Sequence, residues 1–97
     1  MTLSNETRAF LDSQIEYYNM ESQSYKEMAK EYKSDSGSIP DTAYGIIIGC
    51  IYSSFLQIYQ NQNSAPSSQE MEEFTEIIVK HSMKIKESIV RDDAKAE

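Results

Sequence analysis

Residues 43–59, AYGIIIGCIYSSFLQIY, are the stretch that decides the fold of this chain. The stretch is uncharged, and no charged residue occurs anywhere between Asp41 and Glu70. A helix that is apolar on every side is normally buried on every side. The segments before and after it are amphipathic and charged, as expected of helices that cover a core helix. The sequence therefore predicts an all-α fold built around a buried central helix.

The composition of this central helix favours a protein core over a membrane span. A spanning helix needs roughly 20 predominantly apolar residues, whereas the strongly apolar part here covers residues 46–51. Ser53, Ser54 and Gln57 dilute the remainder. No basic region precedes an apolar run at the amino terminus, so we expect neither a secretory signal nor membrane association.

The length and charge of the chain limit the classes of function. Ninety-seven residues correspond to one domain, which we assign to residues 1–91, followed by a frayed acidic tail at 92–97. The formal net charge of -7 argues against nucleic acid as a partner, because phosphate binding needs a concentrated basic surface. The single cysteine excludes an internal disulfide and suits a reducing, cytoplasmic location.

The amino-terminal segment has the apolar spacing of a long helix. Seven positions recur at alternating steps of four and three, which is a heptad-like seam on one helical face. This seam consists of Leu11, Ile15, Tyr18, Ser22, Tyr25, Ala29 and Tyr32. It predicts a first helix over residues 5–33. Because three seam positions are tyrosine and one is serine, the seam suits a semi-polar interface or a ligand-lined groove as well as a core.

Capping residues mark where the helices begin. Ser4 is a candidate N-cap for the first helix, and Ser38 with Asp41 resembles a capping box for the second. Ser67 with Glu70 has the standard capping-box spacing for the third. Residues 33–39 and 61–68 read as linkers. The second and third helices are therefore predicted over about residues 40–61 and 68–91.

Small residues recur every fourth position along the second helix, at Gly45, Gly49 and Ser53. This spacing lets another helix backbone approach closely, as it does in membrane helix dimers. Each glycine costs roughly 1 kcal/mol of helix propensity, so close packing is the expected compensation. We interpret the pattern as a tight helix–helix crossing.

Together these elements predict a three-helix, up-down-up bundle with a long first helix and an apolar central helix. The first helix should extend beyond the second, which leaves part of its seam uncovered. A homodimer would cover it. The predicted interface comprises Tyr18, Ser22, Tyr25, Tyr32, Gly45, Gly49 and Ser53.

The residues that could carry chemistry do not form a catalytic motif. His81 is the one histidine, and the Glu-x-x-His spacing of di-iron bundles is absent because Ile78 occupies the glutamate position. Cys50 lies in the most apolar stretch, where a thiol is inert. Both are interpreted as core residues. We expect no metal, no cofactor and no enzymatic activity.

The sequence thus predicts a small, non-catalytic, cytoplasmic helical module that self-associates and binds a protein partner, in an adaptor, regulatory or immunity-type role. The alternative is a helical bundle that binds a small ligand in a pocket between its helices. That pocket would be lined by Tyr18, Tyr25, Tyr52, Tyr59 and His81.

Overall fold

The computed structural model describes residues 2–32 and 38–95, with side chains described through residue 90. Within these ranges the chain is helical apart from its caps and one linker, which confirms the all-α prediction. The elements are α1 (Asn5–Met20), α2 (Ser22–Tyr32), α3 (Ile39–Gln60) and α4 (Ser68–Lys95). Most of the predicted turn at 33–39 falls on residues 33–37, outside the described residues. The α4 helix ends at Lys95, beyond the predicted end at residue 91. Residues 96–97 lie outside the described residues, so the fraying of the tail stays a prediction.

The predicted single helix over residues 5–33, and with it the three-helix count, is wrong, because the helix is interrupted at Glu21. This residue has φ -98° and ψ 16°, outside the α-helical region. Ser22 next to it is fully buried, and its hydroxyl donates a hydrogen bond of 3.4 Å to the Ser88 carbonyl of α4. Asn19 and Ser24 are weak helix formers on either side of the break. A contact between helices thus divides the predicted helix into α1 and α2.

All three predicted caps are confirmed by hydrogen bonds. The Ser4 hydroxyl accepts from the Thr7 amide at 3.0 Å. The Ser38 hydroxyl accepts from the Asp41 amide at 3.0 Å. At the start of α4 the bonds are reciprocal. The Ser67 amide donates to the Glu70 carboxylate at 2.8 Å, and the Glu70 amide donates to the Ser67 hydroxyl at 3.1 Å.

Contacts between the helices define the path of the chain. Arg8 of α1 forms an ion pair with Glu73 near the start of α4 at 3.2 Å, and Ser22 of α2 meets Ser88 near its end. The α1–α2 segment and α4 therefore run in the same direction. The α3 helix runs in the opposite direction, since Tyr44 near its start lies 4.8 Å from the ammonium of Lys86. The chain passes up along α1–α2, down along α3 and up along α4.

The core lies between these three layers of helix. Phe55 of α3 and Phe74 of α4 stack with ring centroids 4.5 Å apart. The other fully or nearly fully buried apolar residues are Leu3, Leu11, Ile15, Ala29, Ala43, Ile47, Ile51, Ile78, Ile85 and Ile89. Both α1–α2 and α4 pack on the same half of α3. The prediction that α3 is buried on every side is therefore wrong for the single chain.

Candidate functional site

One face of α3 carries an exposed row of small and uncharged residues, which we call the α3 stripe. It consists of Gly45, Gly49, Tyr52 and Ser53, all exposed to solvent. The opposite face carries the buried series Ala43, Ile47, Ile51 and Phe55, spaced four residues apart. Because one helical face supplies the core, the other is left free along more than two turns. The α3 stripe is the most distinctive surface of the described chain.

Among the described residues, no side chain or neighbouring helix packs where a Cβ atom of either stripe glycine would lie. A Cβ atom added at Gly45 or at Gly49 would have no heavy atom within 4 Å outside the local helix. The predicted tight crossing at these residues therefore does not occur inside one copy of the chain. Helical glycine still costs roughly 1 kcal/mol relative to alanine. Among the described residues, no close helix contact at Gly45 or Gly49 offsets that cost.

The α3 helix is more apolar than its burial explains. Its mean hydropathy reaches 1.3 over its most apolar window of 18 residues, of which only 22% is buried. By length and composition this is one helix, among the described residues, that could cross a membrane. The core helix of a soluble protein meets the same criteria, although such a helix is mostly buried. Ile46, Ile48 and Leu56 flank the stripe half-buried.

Two of the predicted interface tyrosines form a cluster with Cys50, half-buried where α1 and α2 meet α3. The rings of Tyr18 and Tyr25 meet edge to face with centroids 5.2 Å apart. Burial, together with the proximity of Cys50 and Tyr25, raises the pKa of Tyr18 to about 12. Burial and Cys50 also raise the pKa of Tyr25. Both hydroxyls stay protonated at neutral pH, so this cluster acts as packing, with its polar atoms satisfied internally.

The other two seam residues of the predicted interface differ in exposure: Ser22 is buried and Tyr32 is exposed. Ser22 is 0% exposed and is engaged by α4, so it does not reach a surface where a second chain could touch it. The prediction that Ser22 belongs to the interface is therefore wrong for this structure, because its side chain is part of the internal core. Tyr32 at the end of α2 is 72% exposed and free for contact.

The five residues of the predicted ligand pocket are divided among three places: the Cys50 cluster, the stacked pair of Phe55 and Phe74, and the groove that contains His81. Tyr18 and Tyr25 lie beside Cys50. Tyr52 lies against Phe74, with ring centroids 5.6 Å apart. Tyr59 packs edge to face on Phe55, and burial together with a hydrogen bond to Glu70 raises its pKa to about 12.

His81 lies in a groove between α1 and α4, away from the other four residues. The groove has a volume of about 300 Å³ and is lined by Asp12, Ile15, Glu16, Asn19, Lys80, His81 and Lys84. Carboxylates from α1 thus face cationic side chains from α4, and no tyrosine is among these lining residues. The structure does not bring His81 together with the tyrosines.

Sequence reasoning missed the burial of Lys26. Lysine is ordinarily exposed, yet only 3% of Lys26 is exposed. It lies one turn after Ser22 and one turn before Ala29, both buried, on the side of α2 that faces the bundle. The seam spacing could have revealed this, because position 26 falls between two core positions of the same helical face.

A second exposed apolar row was also missed, on α4. Val79, Met83 and Val90 are 63%, 73% and 53% exposed. The inward series of the same helix is buried at Phe74, Ile78, Ile85 and Ile89. The outward residues are themselves spaced four and seven apart. That spacing was the signal available in the sequence.

The residues that the structure describes contain no group of three or more His, Cys, Asp or Glu side chains able to hold a metal ion. Comparisons with protein-family models, with curated proteins and with solved structures found no significant match. The function must therefore be argued from the chain's own surfaces.

Proposed function

We propose that this protein is a non-catalytic helical interaction and regulatory module that works by binding proteins, its own second copy first. In the proposal the α3 stripes of two copies pack against each other across a two-fold axis. The observation that carries it is the pair of helical glycines at which an added Cβ would meet no atom of the described residues within 4 Å. A second helix backbone brought close to Gly45 and Gly49 supplies the packing that one copy lacks.

The charge distribution supports a second copy as the occupant of the α3 stripe. Two chains of net charge -7 repel each other at most orientations. The long segment between Asp41 and Glu70 contains no charged residue, so two copies can approach through it without placing carboxylates together. A two-fold contact uses the same patch on both copies and therefore needs a patch that matches itself. The α3 stripe can match itself in this way, because its small residues are flanked by the half-buried Ile46, Ile48 and Leu56.

The contact would extend beyond the glycines. A stable protein interface buries about 1,200 Å² or more in total. Tyr52 supplies an aromatic ring at the centre of the stripe, and aromatic rings are frequent anchors of binding energy. The proposed interface therefore keeps Gly45, Gly49 and Ser53 from the sequence prediction and adds Tyr52. It omits the predicted positions on α1 and α2, which are Tyr18, Ser22, Tyr25 and Tyr32. A homodimer of this kind requires neither a cofactor nor a membrane, and a cytoplasmic location suits its free Cys50.

The proposal is tested by native mass spectrometry of the full chain under reducing conditions, together with flotation on liposomes. The expected result is a dimer or a larger even-numbered assembly, with no retained small molecule and no flotation. A monomer at high micromolar concentration that still melts cooperatively would overturn self-association. Flotation on liposomes, with insolubility in their absence, would assign α3 to a membrane instead.

A further inference from the structure

The outward face of α4 has the residue spacing of a coiled-coil seam. Six positions, which we call the α4 seam, alternate at steps of four and three: Glu72, Glu76, Val79, Met83, Lys86 and Val90. All six are exposed, including the three large aliphatic side chains. This seam is distinct from the buried series of the same helix. A 4-3 spacing of apolar residues is what a second helix requires to pack along the first.

A shallow cavity marks the apolar half of the α4 seam. It has a volume of about 530 Å³ and is lined by Met83, Lys86, Glu87 and Val90. Lys86 is held over the Tyr44 ring, with its ammonium 4.8 Å from the ring centroid. The cation is thus positioned at the edge of the cavity, between two exposed aliphatic side chains. A side chain from a neighbouring helix can occupy the space between them.

The order of charges along the α4 seam indicates what that neighbouring helix is. The amino-terminal half carries Glu72 and Glu76, and the carboxyl-terminal half carries Lys86. A second copy in the parallel orientation would set Glu76 against Glu76 and Lys86 against Lys86. In the antiparallel orientation Glu76 lies opposite the partner's Lys86, and Val79 lies opposite the partner's Met83. Two opposite-charge pairs then enclose two apolar layers.

We infer that the α4 seam binds the α4 seam of a second copy of this chain in the antiparallel orientation, with Glu76 of each copy paired to the partner's Lys86. In this register the two opposite-charge pairs flank the layers of Val79 and Met83, and Glu72 lies opposite the partner's Val90 at each end; a shift of one turn would pair Glu72 with Lys86 but would set Glu76 against Met83. The inference goes beyond the proposed function, since it concerns a different face of the molecule. A chain that uses both faces assembles into more than a dimer.

The test uses two charge reversals, Glu76→Lys and Lys86→Glu, studied in the full chain by sedimentation velocity. Each variant alone sets like charges opposite each other, so self-association through α4 should weaken by about tenfold or more. An equimolar mixture of the two variants pairs Lys with Glu at both positions. The mixture should therefore recover the association of the wild type.

Matched controls separate this effect from changes in net charge and in folding. Glu31→Lys and Lys30→Glu, both on α2, change the charge equally at exposed positions outside the seam. Both should associate as the wild type does. Thermal melts of all four variants, followed by circular dichroism, show whether each one folds.

Each other outcome overturns the inference. Wild-type association in the single variants would exclude the α4 seam as an interface. Weakened single variants that the mixture fails to restore would assign the seam to a different protein or to a different register. The α3 contact is scored separately with Gly45→Ala/Gly49→Ala. If this double glycine variant is monomeric, the α4 inference fails while the proposed function stands. If the charge variants change the assembly and the double glycine variant does not, the proposed α3 contact fails while the α4 inference stands.

Discussion

At the scale of single residues, the buried Ser22 shows how one small side chain fixes the junction of α1 and α2. It fills a site with no solvent exposure and donates to the Ser88 carbonyl of α4. Ser22→Ala removes the hydroxyl and should lower the free energy of unfolding by about 1 kcal/mol. Ser22→Leu adds volume to a packed site and should cost about 1–3 kcal/mol.

Urea denaturation measures both effects, with the exposed neighbour Ser24 as the control. Ser24→Ala and Ser24→Leu should change the unfolding free energy by about 0.5 kcal/mol or less, as most exposed substitutions do. Equal losses at positions 22 and 24 would contradict the account of the junction.

The tyrosine hydroxyls predict a loss of stability in alkali. Tyr18 and Tyr59 each have a pKa raised from 10.0 to about 12, in both cases chiefly by burial. The folded protein therefore retains protons that the unfolded chain releases, so their contribution is fully present below pH 10 and is lost as the pH rises from 10 to about 12. Urea denaturation across this range measures the slope. Tyr18→Phe/Tyr59→Phe should flatten it, and an unchanged slope in that variant would exclude these two groups as its cause.

At the scale of helices, local signals could be predicted from the sequence, whereas contacts between helices could not. Ser4, Ser38 and Ser67 were identifiable as caps because a cap depends on residues within three positions. The break at Glu21 was not identifiable, since the seam keeps its spacing from Tyr18 through Ser22 to Tyr25. The break lies next to Ser22, whose hydroxyl bonds to the Ser88 carbonyl of α4, a residue 66 positions away in the sequence.

The capping box of α4 allows a prediction at acidic pH. The pKa of Glu70 is lowered, first by the hydrogen bond from the Ser67 amide and further by the Ser67 and Tyr59 side chains. The stability it contributes is therefore present above pH 4.5 and is lost as the pH falls through the lower pKa of the folded state. Glu70→Gln should remove this part of the acid dependence, and Ser67→Ala should cost about 1 kcal/mol at neutral pH.

Chemical denaturation at neutral and acidic pH checks both variants. The matched control is Glu72→Gln, because Glu72 is exposed on the same turn of the helix. If Glu72→Gln alters the acid dependence as much as Glu70→Gln does, the box is not its source.

At the scale of the whole molecule, the sequence predicted the helical class but not how the helices are rotated against one another. The α3 helix is apolar all round, so its pattern does not indicate which side faces α1–α2 and α4. The spacing of Gly45 and Gly49 predicted a tight helix crossing, yet the structure exposes both glycines to solvent, and their place in an interface between two copies stays a prediction. For the same reason the sequence could not show that His81 lies in a groove between α1 and α4 whose lining residues include none of the four tyrosines of the predicted pocket.

Within the described residues, the α3 stripe and the α4 seam are two exposed faces on adjacent helices. Both consist of residues that the internal core does not use. The proposed function depends on the α3 stripe, whose glycines reduce helix stability without a packing contact among the described residues that offsets this loss. Self-association through α3 is therefore the central claim.

The most direct test of that claim combines two measurements on Gly45→Ala/Gly49→Ala. Since an added Cβ meets nothing within 4 Å, the double variant should be more stable as a single chain, by roughly 1–2 kcal/mol, in urea denaturation at the lowest workable concentration. The same methyl groups should hold two α3 helices apart and lower the sedimenting mass relative to the wild type. Ser13→Leu, which adds a larger group to an exposed position of α1, should leave that mass unchanged. A double variant that gains stability yet assembles as the wild type does would contradict the claim.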